Sequence, residues 1–397
     1  MGVLCEYTRI EEMRIRGFLL SLITLPLIYA CDYKLSHEKP REMEQMARSD
    51  SIPAVSPVRE TLPVSSFGDA ADDPAIWHTA VGNTLILGTD KKSGLNVYSM
   101  TGDLRQFLAI GRVNNVDIAG SLAVATNRTT RTLDVLKLGK DEEVSKIASY
   151  PLPFPDPYGV CAFRREGLVH VFAGDKSGRL QYRALSELGV LVDEREEDVW
   201  KFESQTEGCV ISPTRSLLFV GEEEKGIHVF DINGPNLAHL KLLTHESLNF
   251  DIEGLTIYDR DQSEFLVVSS QGDSTFVIFE LPTLSYRLKF AIQSSKDGAI
   301  DGVTDTDGLA ASGRNILGFP LGLLVVQDGS NTRPKEKQNF KVIDWRDIDD
   351  LLVSARTNDW FIPLVVFTLL GLGLWGQYML TGRLTLRFTK EKEDTQT

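Results

Sequence analysis

The sequence predicts an all-β fold, a six-bladed β-propeller, on three observations. One unit recurs six times: an apolar strand, a polar and usually charged turn, then a second strand of alternating hydrophobicity. The copies follow one another at intervals of roughly 40 to 60 residues, the period of a propeller blade. Between the two ends of the chain no long window carries a helical period, whereas strand positions are β-branched or aromatic and turns hold Gly, Ser or Thr.

In chain order the copies are Leu85–Tyr98, Leu122–Leu136, His170–Tyr182, Leu218–Phe230, Leu266–Phe279 and a last one from Leu324. Their turns centre on Asp90-Lys91, Asn127-Arg128, Asp175-Lys176, Glu222-Glu223, Ser270-Gln271 and Gln327-Asp328. In a propeller the equivalent turns of successive blades converge on one face, so charges distant in sequence ring one opening. The first three turns carry cations and the later segments supply acids. A merely solvated surface does not require that segregation.

The ends read differently. Arg14 and Arg16 precede the apolar run Phe18–Ile28 and then Tyr29-Ala30-Cys31, the layout of a secretory signal over 1–31. Met13 is an alternative start, and a cysteine directly after a small residue resembles a lipoprotein box. Residues 32–60 are polar and contain proline, as expected of a tether. The propeller is expected over 61–355. Residues 360–382 hold a charge-free apolar stretch long enough to cross a bilayer, and a short charged tail, 383–397, follows. The expectation is an exported, membrane-anchored monomer with its propeller outside the cytoplasm.

The 397 residues contain 42 Lys and Arg against 56 Asp and Glu, a formal charge of −14. Such a balance excludes a general nucleic-acid binder, which needs cations to neutralise phosphates. Four cysteines without a CxxC exclude a disulfide-rich scaffold and a zinc ribbon. Cys161 and Cys209 occupy similar places in successive blades; buried thiols are expected there, because two separate blades need not bring their Cα atoms close. Asn114–Asp117 reads as a turn. No nucleophile elbow and no phosphate-cradling glycine loop occurs.

The densest acid cluster opens the domain, where Asp69, Asp72 and Asp73 fall within five residues. Carboxylates so close repel one another unless a cation neutralises them, and oxygen ligands without Cys or His select a hard ion such as Ca²⁺. Glu207, Glu222–Glu224, Asp251, Glu253, Asp301, Asp305 and Asp307 continue the theme. Lys91, Lys92, Arg128 and Lys176 stand against them in the early turns. Cations beside a metal-binding ring of acids point to a large, strongly anionic ligand, and to phosphoester hydrolysis by water that the metal activates. A non-catalytic calcium-stabilised binding module and a calcium-dependent lactonase-like hydrolase remain as alternatives.

Several strings then resemble the β-propeller phytases, calcium-dependent enzymes acting on myo-inositol hexakisphosphate. They are Asp69–Trp77, Asp90–Leu95, Asn114–Asp117, Asn127-Arg128, Ser204–Gly208, Asp251–Tyr258, Ser269–Gly272, Asp305–Gly308, Val326–Gly329 and Gln338–Lys341. The resemblance spans about Thr61 to Ile348. It implies several calcium ions, a cleavage and an affinity subsite for adjacent phosphates, and calcium ligands at Asp69, Asp72, Glu207, Glu223, Glu253 and Asp307. It implies that Asp73, Asp301 and Asn331 lie near a more structural calcium and that Asp251 and Gln271 belong to the metal-binding rim. Lys91, Lys92, Arg128, Tyr158 and Lys176 are then the residues that hold substrate phosphates.

Overall fold

The computed structural model describes residues 52–194, 199–233 and 236–356, and these form six sheets of four or five strands arranged as propeller blades. The expected fold class is borne out. Blade 1 comprises Ala71–His78, Thr84–Asp90, Gly94–Ser99 and Leu104–Leu108. Blade 2 comprises Val113–Ala119, Leu122–Asn127, Thr132–Leu138 and Val144–Pro151; blade 3 runs from Pro157–Arg165 through Leu168–Asp175 and Arg179–Ser186 to Leu191–Glu194. Blade 4 holds Thr206–Ser212, Leu217–Glu222, Gly226–Asp231 and Ala238–Leu243, and blade 5 holds Ile252–Arg260, Ser263–Ser270, Thr275–Glu280 and Ser285–Ile292. Blade 6 is built from Leu309–Ser312, Leu323–Asp328 and Asn339–Asp344.

Burial explains the sequence pattern of each strand. Second strands such as Thr84–Asp90 and Leu323–Asp328 are buried along their whole length, because neighbouring blades cover both faces. Outer strands such as Leu104–Leu108 and Ala238–Leu243 are mostly exposed. First strands line the axis, and each packs on the first strand of the next blade. Hydrophobic clusters fill the spaces between blades; one unites Phe276, Phe290, Ile343 and Trp345 from the last two.

Three features depart from expectation. Arg59–Glu60 pairs with Asn339–Asp344 as the outermost strand of blade 6, and Ala54–Val55 runs parallel to Ser285–Ile292. The end of the segment read as a tether is therefore part of the fold. Two-residue strands at a sheet edge are too short to show a period, yet Arg59–Glu60 supplies the last blade with its fourth strand. Residues 345–356 form a helix rather than a strand or linker. Trp345, Ile348 and Leu352 share its inner face, and the Trp345 ring stacks on Tyr258 at 3.5 Å. Finally, Cys161 and Cys209 are joined in a disulfide with their Cα atoms 5.5 Å apart. Both lie on first strands, and packing around the axis brings the two blades close enough to bond.

The signal, the lipidation site and the membrane helix at 360–382 lie outside the described residues. Among the described residues no helix is long and apolar enough to cross a membrane.

Candidate active site

A cavity of about 670 Å³ opens at one end of the propeller, lined by residues from every blade but the second. Asp72, Glu207, Glu253 and Asp307 reach it from the beginnings of the first strands, where blades converge most tightly, and Glu223 from the turn after the second strand of blade 4. Glu207, Glu253 and Asp307 are each followed by a glycine, and those glycines touch the next blade. A Cβ at Gly208 would lie 2.5 Å from the Glu253 carbonyl oxygen, and one at Gly254 2.9 Å from that of Asp307. At Gly308 it would lie 2.4 Å from Asp73 Oδ1. Only hydrogen fits between these strands, so the acid–glycine pairs press carboxylates of successive blades together.

Carboxylate oxygens of Glu207, Glu223 and Glu253 lie within 4.8 Å of one another. Gln205 ties two of them, its Nε2 donating to Glu207 Oε1 at 2.7 Å and also to Glu223 Oε1. Asp72 and Asp307 complete the cup. Asp72 accepts from Asn114 Nδ2 at 2.8 Å, and Asp307 from Gln271 Nε2 at 2.6 Å. Lys91 closes the ring: its Nζ lies 2.7 Å from Asp69, 3.3 Å from Asp307 and 3.4 Å from Asp72.

Burial pushes the Glu207 and Glu253 carboxyls well above the usual range, and repulsion from the other acids pushes the same way. Burial also raises Asp72 and Asp307, although Lys91 pulls both downward. Glu223 is raised less, again by burial first. Burial opposes the charge on Lys91, but Asp72, Asp307 and Asp69 outweigh it and hold the ammonium firmly protonated.

Beside the cup a cationic group is organised on Tyr158. Lys176 Nζ stands 4.2 Å from the ring centroid and the Arg128 guanidinium 5.2 Å. Arg128 is held by Asp156 through Nε at 2.6 Å and Nη2 at 3.0 Å, and its Nη1 donates to Asn114 Oδ1 at 3.3 Å. Asn114 thus links the cations to Asp72; the segment read as a turn is the first strand of blade 2. Tyr158 is buried, which raises its phenol strongly, and Glu207, Asp72 and Glu253 add to the shift.

The other residues singled out in the sequence are distributed more widely. Asp69, Tyr158, Gln271 and Asn331 line the cavity. Asp251 acts on Glu223 and Glu253 through its charge but is not part of the lining. Lys92 is turned aside and donates to the Phe67 carbonyl. Asp301 and Asn331 meet at a lysine, Lys341, whose Nζ lies 2.6 Å from Asp301 Oδ1 and 3.4 Å from Asn331 Oδ1. Glu60, 2.5 Å from the same ammonium, joins them. Asp73 is separate from that group: it accepts from the Val116 amide at 3.0 Å and lines a second cavity of about 490 Å³ along the axis. Gln205, Lys335, Lys337 and Gln338 also border the active-site cavity and were not singled out as site residues. Gln338 Oε1 accepts from the Ala70 and Ala71 amides, fixing the loop between Asp69 and Asp72. Its place in the Gln338–Lys341 string was the only signal.

The donor set suits calcium. Five buried or half-buried carboxylates share one cup without His or Cys, and Lys91 pairs with Asp72 and Asp307 among them. At neutral pH so many acids must hold protons or a cation, and oxygen ligands select a hard ion.

A family model described as Phytase matches residues 19–359. The 3-phytase of Bacillus subtilis (strain 168) is 31% identical over 323 residues, covering 73% of this chain and 83% of the relative. Among solved structures, an α-L-arabinanase of Penicillium chrysogenum complexed with arabinobiose superimposes with a TM-score of 0.51 over 73% of this chain and 99% of its own. At 10% identity that likeness shows the fold alone.

Proposed function

The chain belongs to the phytase family and is a phytase, and from that premise we propose that it hydrolyses phytate at the acid cup in a calcium-dependent reaction with two adjacent phosphate positions. The observation that carries this reading is the cup itself, five carboxylates on converging strands beside cations mounted on Tyr158. Asp72, Glu207, Glu223, Glu253 and Asp307 would hold the metal, with Asp69 at its rim. Calcium bound there supplies the positive charge that admits a polyanion to an acidic protein, and makes coordinated water a better nucleophile.

The protein's own groups do the rest. Arg128 offers a planar fork to a phosphate, held in place by Asp156, while Lys176 adds a point charge over the same Tyr158 ring. Both stabilise charge gathering on equatorial phosphoryl oxygens. Lys91 borders the same cavity and supports the neighbouring, affinity position. Gln205 and Gln271 orient carboxylates, and the pressed blades fix their spacing.

Export with membrane anchoring, as a monomer, belongs to the same proposal. It is supported by the composition of the two ends and by the Cys161–Cys209 bridge, a bond typical of oxidising compartments.

The test is phosphate release from phytate by the full-length protein, with calcium and with a chelator. Release should require calcium. Arg128→Ala should raise KM about tenfold, and Glu207→Gln should lower kcat by roughly a hundredfold. Full activity in chelator, or none with calcium supplied, would overturn the reading.

A further inference from the structure

On the outer part of blade 4, two histidines face each other away from the acid cup. His228 stands on the third strand, Gly226–Asp231, and His239 on the outermost, Ala238–Leu243. The register slips between Val229 and Phe230, so His239 pairs with Phe230 and lies diagonally from His228. His228 Nδ1 and His239 Nε2 are 3.1 Å apart. We propose that this pair is a binding site for a divalent transition-metal ion, zinc foremost.

Three observations support the site. The His228 Nε2 atom is 2.7 Å from Glu222 Oε2. A carboxylate acceptor at that distance fixes the proton of His228 on Nε2 and leaves the Nδ1 lone pair toward His239. Carboxylate–histidine pairs of this kind orient the imidazoles that bind zinc.

Second, the spacing fits. Two metal–nitrogen bonds of about 2.05 Å span roughly 2.9 Å at a right angle and roughly 3.3 Å at the tetrahedral angle, and the observed separation lies between. Without metal, the one proton between the rings sits on His239 Nε2. A metal takes its place when His239, an exposed residue, shifts that proton to Nδ1 and both rings turn so that their lone pairs meet beside the line joining the two nitrogens.

Third, aromatic neighbours flank both rings. Trp200 stacks on His239 with centroids 5.4 Å apart, and the Phe202 ring meets His228 edge-on at 4.9 Å. Imidazole nitrogens select zinc, nickel or copper over calcium, which keeps this site chemically separate from the acid cup. Water completes the coordination.

The test is titration calorimetry of the full-length protein with zinc chloride in excess calcium, which keeps the acid cup occupied. One zinc per chain should bind, and His239→Ala, an exposed substitution, should weaken it more than about tenfold. Copper(II) bound in place of zinc should show two nitrogen ligands by electron paramagnetic resonance, and one in His239→Ala. Equal zinc binding by the parent and the variant, or no binding, would overturn the proposal.

Discussion

Among the described residues, Lys91 is the cation that reaches acids from both the first and the last blade, and its removal exposes what it holds. The Lys91→Met variant leaves Asp69, Asp72 and Asp307 without an internal counter-charge. Breaking a buried ion pair from one side costs on the order of 3 kcal/mol, although exposed Asp69 contributes little of it. The melting temperature of this variant should fall clearly in chelator and recover when calcium is added, because the ion takes over the missing charge. Thermal melts in the two conditions decide the matter; an equal loss in both would show that Lys91 acts by packing alone.

At the scale of the strand, the acid–glycine pair is the working unit. Each places a carboxylate at the rim and a hydrogen where the next blade presses in. In Gly208→Ala the new Cβ meets only backbone, with Leu255 N 2.7 Å and Gly254 Cα 2.9 Å away. Blades 4 and 5 must move apart, which separates Glu207 from Glu253 and costs roughly 1–3 kcal/mol. Calcium affinity measured by calorimetry should drop about tenfold or more while the circular dichroism of the sheet is retained. Unchanged calcium affinity would mean that the strand spacing does not set the cup.

For the molecule as a whole, the raised acids set how stability depends on pH. Asp72, Glu207, Glu253 and Asp307 keep protons in the metal-free fold that the unfolded chain has already released above about 4. Their contribution to stability is complete at acid pH and disappears as pH rises through the raised folded values. Asp117, pushed up to about 6 by burial, works in the same direction. Asp301 and Glu222 lie below their ordinary values, so their contribution is lost only toward the acid end. In chelator the melting temperature should therefore decrease from about pH 5 to about pH 8. With calcium, which binds the deprotonated acids, it should hold or rise over the same range. A rise in chelator would contradict the assignment of these carboxyls.

The sequence alone determined the architecture, because a blade is local: its strands and turns follow in order, and alternation and turn chemistry are written in neighbouring residues. It also singled out the candidate acids and cations, since Glu207, Glu253, Asp307, Lys91 and Arg128 stand in strings that resemble the family's. Residue distances across blades were not legible. That Cys161 reaches Cys209, that Asp73 faces the axis while Asp301 meets Lys341, and that Gln205 clamps two glutamates depend on how blades pack side by side. The closing strand Arg59–Glu60 was hidden for the same reason. Two residues carry no period, and only the circular closure of the sheet gives them a partner.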